Sequence, residues 1–114
     1  MKSCAANITR NLLYTIHMDK NAILKEFRKL PGVGNSIAED LWDMGFRSIN
    51  ELKHKDPEKL YDNLNKLRGT TIDRCMLYTF RCIVYFVNKT RHDPKLLNWW
   101  NWSDKNLAKR KLPQ

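Results

Sequence analysis

The sequence predicts an all-α domain in two halves, each a helix, a tight turn and a second helix, with extra helices at both ends. Three observations lead there. Apolar residues recur at helical spacing along most of the chain, and no segment alternates apolar and polar residues as a half-buried strand does. Glycine and proline stand only at segment boundaries. An interval of 37 residues sets Ile23, Phe27, Leu30, Gly32, Ala38 and Leu41 on Leu60, Leu64, Leu67, Gly69, Cys75 and Tyr78. Neither half can bury its apolar face alone, so the two are expected to pack as a pseudo-twofold unit.

The elements follow in order. A weak first helix is expected over Ile8–Met18 and a second over Asn21–Lys29, with Ile23, Leu24, Phe27 and Leu30 on one face. Pro31 and Gly32 end it. A third is expected from Ser36, read as its N-cap, with Ile37, Leu41 and Met44 inward and Gly45 as the residue that ends it. Ser48 should cap a short turn through Leu52. Asp56-Pro57 pairs an N-cap with proline at the first helical position and opens a helix carrying Leu60, Leu64 and Leu67 to Gly69. The longest helix is expected over Thr71–Asn88. Its apolar residues lie on most sides, which makes it the central one. Asp93-Pro94 repeats the cap-and-proline signal before a short helix holding Leu96, Leu97, Trp99 and Trp100. Residues 1–102 thus read as one helical domain, with hairpin one over 20–45 and a degenerate hairpin two over 57–88. Residues 103–114 read as a basic tail expected to be disordered.

Charge narrows the choice of partner. The net charge is +9, which favours a polyanion. It is unevenly spread: +4 over residues 1–29, −2 over 30–67, +4 over 68–92 and +3 over 93–114. The Gly32 turn therefore stands in the acidic third. No run of the sequence is long and apolar enough for a membrane span, and Met1-Lys2-Ser3-Cys4 is followed by no apolar signal core, so a cytoplasmic location is expected. Cys75 and Cys82, two helical turns apart, are beyond disulfide reach and read as reduced and buried.

Leu30-Pro31-Gly32-Val33-Gly34 is the strongest local signal. Glycine permits positive φ and close approach by a foreign backbone. The amides of the following helix point outward, and its dipole favours an anion. The turn resembles the helix-hairpin-helix motif of DNA repair and replication proteins. That resemblance implies a tandem helix-hairpin-helix, SAM-like five-helix domain, with phosphate oxygens held by the amides of Gly32, Gly34, Ser36 and Ile37. It also implies a monovalent cation at the carbonyls of Arg28, Leu30 and Val33, with no other cofactor. Asn35 stands where many members carry a lysine or arginine. The run Asp73–Phe86, with the Leu30 turn and Asp56-Pro57-Glu58-Lys59-Leu60-Tyr61, resembles the bacterial pathogenicity-locus family, whose members are often labelled mitomycin-resistance proteins.

The expected interface is therefore Gly32, Val33, Gly34, Asn35, Ser36 and Ile37, with Arg28 and Lys29 adding charge and DNA as the partner. Arg74 and Arg81, with Tyr78, Tyr85 and Asn88 on the same face of the long helix, could follow a strand or form a solvated stripe. Trp99 and Trp100 are expected to cap the core and Trp102 to be exposed. The alternative is a protein-interaction module in which the glycine turn only connects packed helices. No enzyme is expected: His17, His54 and His92 are scattered, no Cys or His pair has metal-ligand spacing, and Asp40 and Asp43 read as a solvated acidic face.

Overall fold

The computed structural model describes residues 20–111, and all regular structure in them is helical. The helix expected over Ile8–Met18 lies outside the described residues. Helix α1 is described from residue 20 and runs through residue 27, burying Leu24 and Phe27. It is followed by α2 (Asn35–Asp43), α3 (Pro57–Arg68), α4 (Cys75–Asn88) and α5 (Asp104–Lys111). Short 3₁₀ turns lie at Ile49–Leu52, Pro94–Leu97 and Trp99–Trp102.

Local chemistry sets most of the boundaries. Gly45 (φ 101°) ends α2: its amide bonds the Trp42 carbonyl, and the Phe46 amide reaches back to Leu41, satisfying two orphan carbonyls. Gly69 (φ 70°) ends α3 the same way, with Thr70 reaching back to Asn65. The Asp56 carboxylate accepts the Glu58 amide at 2.9 Å, with Pro57 opening α3. Ser48 and Glu51 form the capping box of the first 3₁₀ turn.

The core is centred on α4, which buries Met76, Leu77, Thr79, Phe80, Cys82, Ile83 and Val87. Phe27 of α1, Leu41 of α2, Leu52 of the first 3₁₀ turn and Leu64 of α3 close on it, all fully buried. The Trp99–Trp102 turn lies along the other side of α4.

Several expectations are corrected. Gly34, not Ser36, is the N-cap of α2. Helix α4 starts at Cys75 rather than Thr71, because Tyr61 Oη donates to the Ile72 carbonyl and Asn65 Oδ1 accepts the Ile72 amide at 2.9 Å, holding that stretch extended. The interval of 37 therefore fails after the turn. Cys75 is exposed while Ala38 is fully buried, and Leu67 is 49% exposed while Leu30 is buried. A shift two residues longer restores the match, setting Ala38 on Leu77 and Leu41 on Phe80, all fully buried. The short helix expected after Asp93 is two 3₁₀ turns. Trp100, not Trp102, is the exposed tryptophan, because the Trp102 indole donates to the Leu96 carbonyl and lies against Tyr85. The tail expected to be disordered begins with α5, whose Ser103 Oγ accepts the Asn106 amide.

Packing at α4 makes a direct prediction. Phe80→Ala removes a fully buried ring and should cost about 3–5 kcal/mol in denaturant unfolding. Leu67→Ala, at an exposed position, should fall within about 0.5 kcal/mol of wild type.

Candidate nucleic-acid interface

The Gly32 turn is closed by local hydrogen bonds. The Leu30 amide bonds the Phe27 carbonyl at 3.0 Å and the Val33 amide bonds the Leu30 carbonyl at 3.2 Å. Leu30 and Val33 point into the core, so Val33 offers a partner its backbone only. Of the carbonyls expected to ring a cation, that of Leu30 already accepts a hydrogen bond.

The two glycines of this turn do different things. Gly32 has φ 77°, and a Cβ there would meet Trp99 Cδ1 at 3.4 Å and Thr79 Cγ2 at 3.6 Å. Its left-handed backbone conformation demands glycine, while the contacts a Cβ would make are ordinary ones. Gly34 has φ −100°, which any residue adopts, and a Cβ there would meet nothing within 4 Å. Neither strain nor crowding explains glycine at that position. Yet it is the N-cap of α2, where Ser, Thr, Asp or Asn would ordinarily supply an acceptor. The structure shows no side-chain cap there. The first amides of α2, at Asn35, Ser36 and Ile37, have no acceptor within the helix. Gly34, Asn35 and Ser36 are exposed and Ile37 is half-buried.

Charges around this helix start are arranged through long-range pairs. Arg68 reaches Asp40 at 2.6 Å and Asp43 at 2.8 Å, and Lys20 reaches Glu39 at 3.4 Å. The Arg68 guanidinium is held above its ordinary range, chiefly by the hydrogen bond to Asp40 and then that to Asp43. The acidic face expected to be solvated is thus paired. Arg28 and Lys29 are exposed beside the turn, Lys29 in a surface pair with Glu26 at 2.6 Å and Arg28 without an ion pair among the described residues.

Arg74 and Arg81 lie apart from this turn, under the C-terminal segment. Arg81 has only 10% of its side chain exposed; it donates to the Trp102 carbonyl and to Glu58, and its guanidinium is 3.0 Å from Asp104. Arg74 pairs with Asp104 through two nitrogens, and Tyr78 Oη also donates to that carboxylate at 3.3 Å. Asn88 Oδ1 accepts the His54 amide, and Tyr85 Oη accepts the Asp93 amide. Every polar member of the expected stripe therefore has a partner within the chain. Asp104 was missed in the sequence because it lies in a segment read by its net charge. The signal that would have found it is Ser103-Asp104, a cap followed by an acid in the first helical turn.

No cluster of three or more His, Cys, Asp or Glu side chains that could hold a metal occurs among the described residues. Cys75 and Cys82 are free thiols; burial pushes Cys82 up to about 11. No helix among the described residues is long and apolar enough to cross a membrane.

A model of the pathogenicity-locus family, Cdd1, matches residues 20–108, which is most of the chain. The chain belongs to this family. No curated protein and no solved structure matches it. The match to the pathogenicity-locus family spans the Gly32 turn, α4 and the first part of α5, so the Asp104 clasp lies within the shared region.

Two outcomes are expected. The hydrogen bond from Arg74, reinforced by Arg81, lowers Asp104 from its ordinary 3.8 to about 2. A lowered carboxylate contributes stability that is complete above 3.8 and is lost as pH falls through about 2. Tryptophan fluorescence should therefore report loosening of the Trp99–Trp102 turn between about pH 4 and 2, a step that Asp104→Asn removes. Separately, Gly32→Ala should destabilise the fold by about 1–2 kcal/mol through its left-handed φ, measured by chemical denaturation.

Proposed function

We propose that this pathogenicity-locus protein binds the nucleic-acid backbone without reading sequence, through the start of α2 in a tandem helix-hairpin-helix arrangement. Gly34 carries the proposal. A helix N-cap that could hold any residue, and that most helices fill with an acceptor, is here a glycine with open space around it. An external anion can then approach the Asn35, Ser36 and Ile37 amides, and a phosphate oxygen has the charge and size for that place. Contacts of this kind fix position and orientation and carry no sequence information. Arg28 and Lys29 add attraction from the residues just after α1. DNA is the partner we favour.

The protein-interaction reading rests on a different surface. Leu67 is exposed at the end of α3, beside a groove lined by Met44, Phe46 and Leu60. Apolar surface of this kind suits a partner protein.

Fluorescence anisotropy with single-stranded, duplex and branched DNA at two salt concentrations separates the readings. Backbone binding predicts affinity that falls with salt and is lost in Gly34→Glu while the fold stays intact. Gly34→Ser gives a sharper signature: its hydroxyl should cap α2, raising stability by about a few tenths of a kcal/mol while weakening DNA binding. No binding to any of the three DNAs at low salt would sink the proposal and leave the Leu67 surface as the functional one.

A further inference from the structure

Beside the Gly32 turn lies an open groove of about 340 Å³ between the turn and the start of α4. Gly32 and Ile37 form one wall, so the groove adjoins the uncapped helix start. Trp99, Ile72 and Met76 supply the remaining apolar surface. Trp99 is flat and Met76 polarizable, the kinds of side chain that stack on ring systems, and Ile72 adds aliphatic surface. Trp100, 54% exposed, stands edge-on to Trp99 at 5.7 Å and extends the aromatic surface outward.

The groove has one charged side chain, Asp73. Its carboxylate accepts the Cys75 amide at 2.8 Å, and that bond holds it ionised. An anion in the groove would be repelled. A neutral ring carrying N–H donors on its edge would find apolar walls for its faces and a fixed acceptor for its edge. Thr79, the other polar group lining the groove, directs its hydroxyl to the Cys75 carbonyl.

We propose that this groove takes an unpaired nucleobase from a strand whose phosphate sits on the α2 amides, so that the protein selects single-stranded or locally unpaired nucleic acid over intact duplex. The inference rests on the backbone-binding reading and gives it a substrate class. Charge complementarity supports it at two scales: a chain of net charge +9 attracts the polyanion, and the single acid in the groove directs the neutral base there and the phosphate to the helix start. Bases in a duplex present their faces to one another and cannot enter. Unpaired bases can be splayed out and stacked on aromatic side chains.

The test compares an ordinary single strand, an abasic strand of the same length and an intact duplex, by anisotropy and tryptophan quenching. The two single strands offer the same phosphates and differ only in bases. The ordinary strand should bind about tenfold tighter than the abasic one and alone should quench tryptophan emission. Cys75 is exposed at the groove, so Cys75→Gln should fill it without unfolding the protein. That variant should abolish the preference for the ordinary strand and leave abasic-strand affinity unchanged. Equal binding of ordinary and abasic strands without quenching would overturn the base groove while leaving backbone binding intact. Quenching by the duplex as strong as by the single strand would overturn it as well. Failure of every strand to bind at low salt would overturn both readings together.

Discussion

Helix α4 is apolar on almost every side, and a helix of that kind is stable only when something covers all of it. Helix α3 and the first 3₁₀ turn take one flank, and the C-terminal turns take another. Covering α4 fully brings its few polar side chains under other segments, where each needs a partner. The C-terminal segment supplies most of them. The Leu96 carbonyl receives the Cys82 thiol, the Trp102 carbonyl receives Arg81, and Asp104 joins Arg81 to Arg74 and Tyr78. A cation as deeply placed as Arg81 is stable only because Glu58 and Asp104 approach it from two different helices. The fold downstream of residue 93 is therefore a consequence of how apolar α4 is.

This explains which parts of the structure were legible in the sequence. Gly45, Asp56-Pro57, Gly69 and Ser48 act on residues within one helical turn, and short-range signals of that sort can be read directly. Two of the failures involve distant partners. Helix α4 starts late because Tyr61 and Asn65 of α3 hold Ile72. Trp102 is covered because Tyr85 and the Leu96 carbonyl meet it, which leaves Trp100 outside. Residues 104–111 are helical although their composition reads as a solubilising run. At the candidate site, the sequence located the turn but not the division between its glycines, because only the folded backbone shows a left-handed φ at Gly32 and an ordinary φ with open space around it at Gly34.

Segment charge misled in the same way. The Gly32 turn and α2 lie in the acidic third of the chain, which argues against an anion site. Folding brings Arg68 across to Asp40 and Asp43, and Lys20 to Glu39, so the carboxylates of α2 are paired with cations from outside that helix. Exposed pairs of this sort contribute little to stability. They matter here because they screen the carboxylates, leaving the α2 dipole less opposed. Arg74 and Arg81 show the reverse: they look like a cationic stripe in the sequence and are neutralised in the fold.

The comparison between the two hairpins carries the functional argument furthest. Both connections use a glycine with similar positive φ, Gly32 inside a turn closed by the Val33 amide on the Leu30 carbonyl and Gly69 as the C-cap of α3. They differ at the helix that follows. At the start of α4 the protein supplies its own anion, since Asp73 accepts the Cys75 amide. A phosphate there would meet a carboxylate already in place. At the start of α2 the corresponding role falls to Gly34, which has no side chain to offer. The start of α4 thus has a carboxylate from the preceding residues on its first amide, and the start of α2 has no side-chain cap. The unfilled one faces a groove whose single acid, Asp73, belongs to the filled one. In the proposed reading, the carboxylate that accepts the first amide of α4 also sets the polarity of the groove beside the Gly32 turn, where a phosphate and a neutral ring would find separate places side by side.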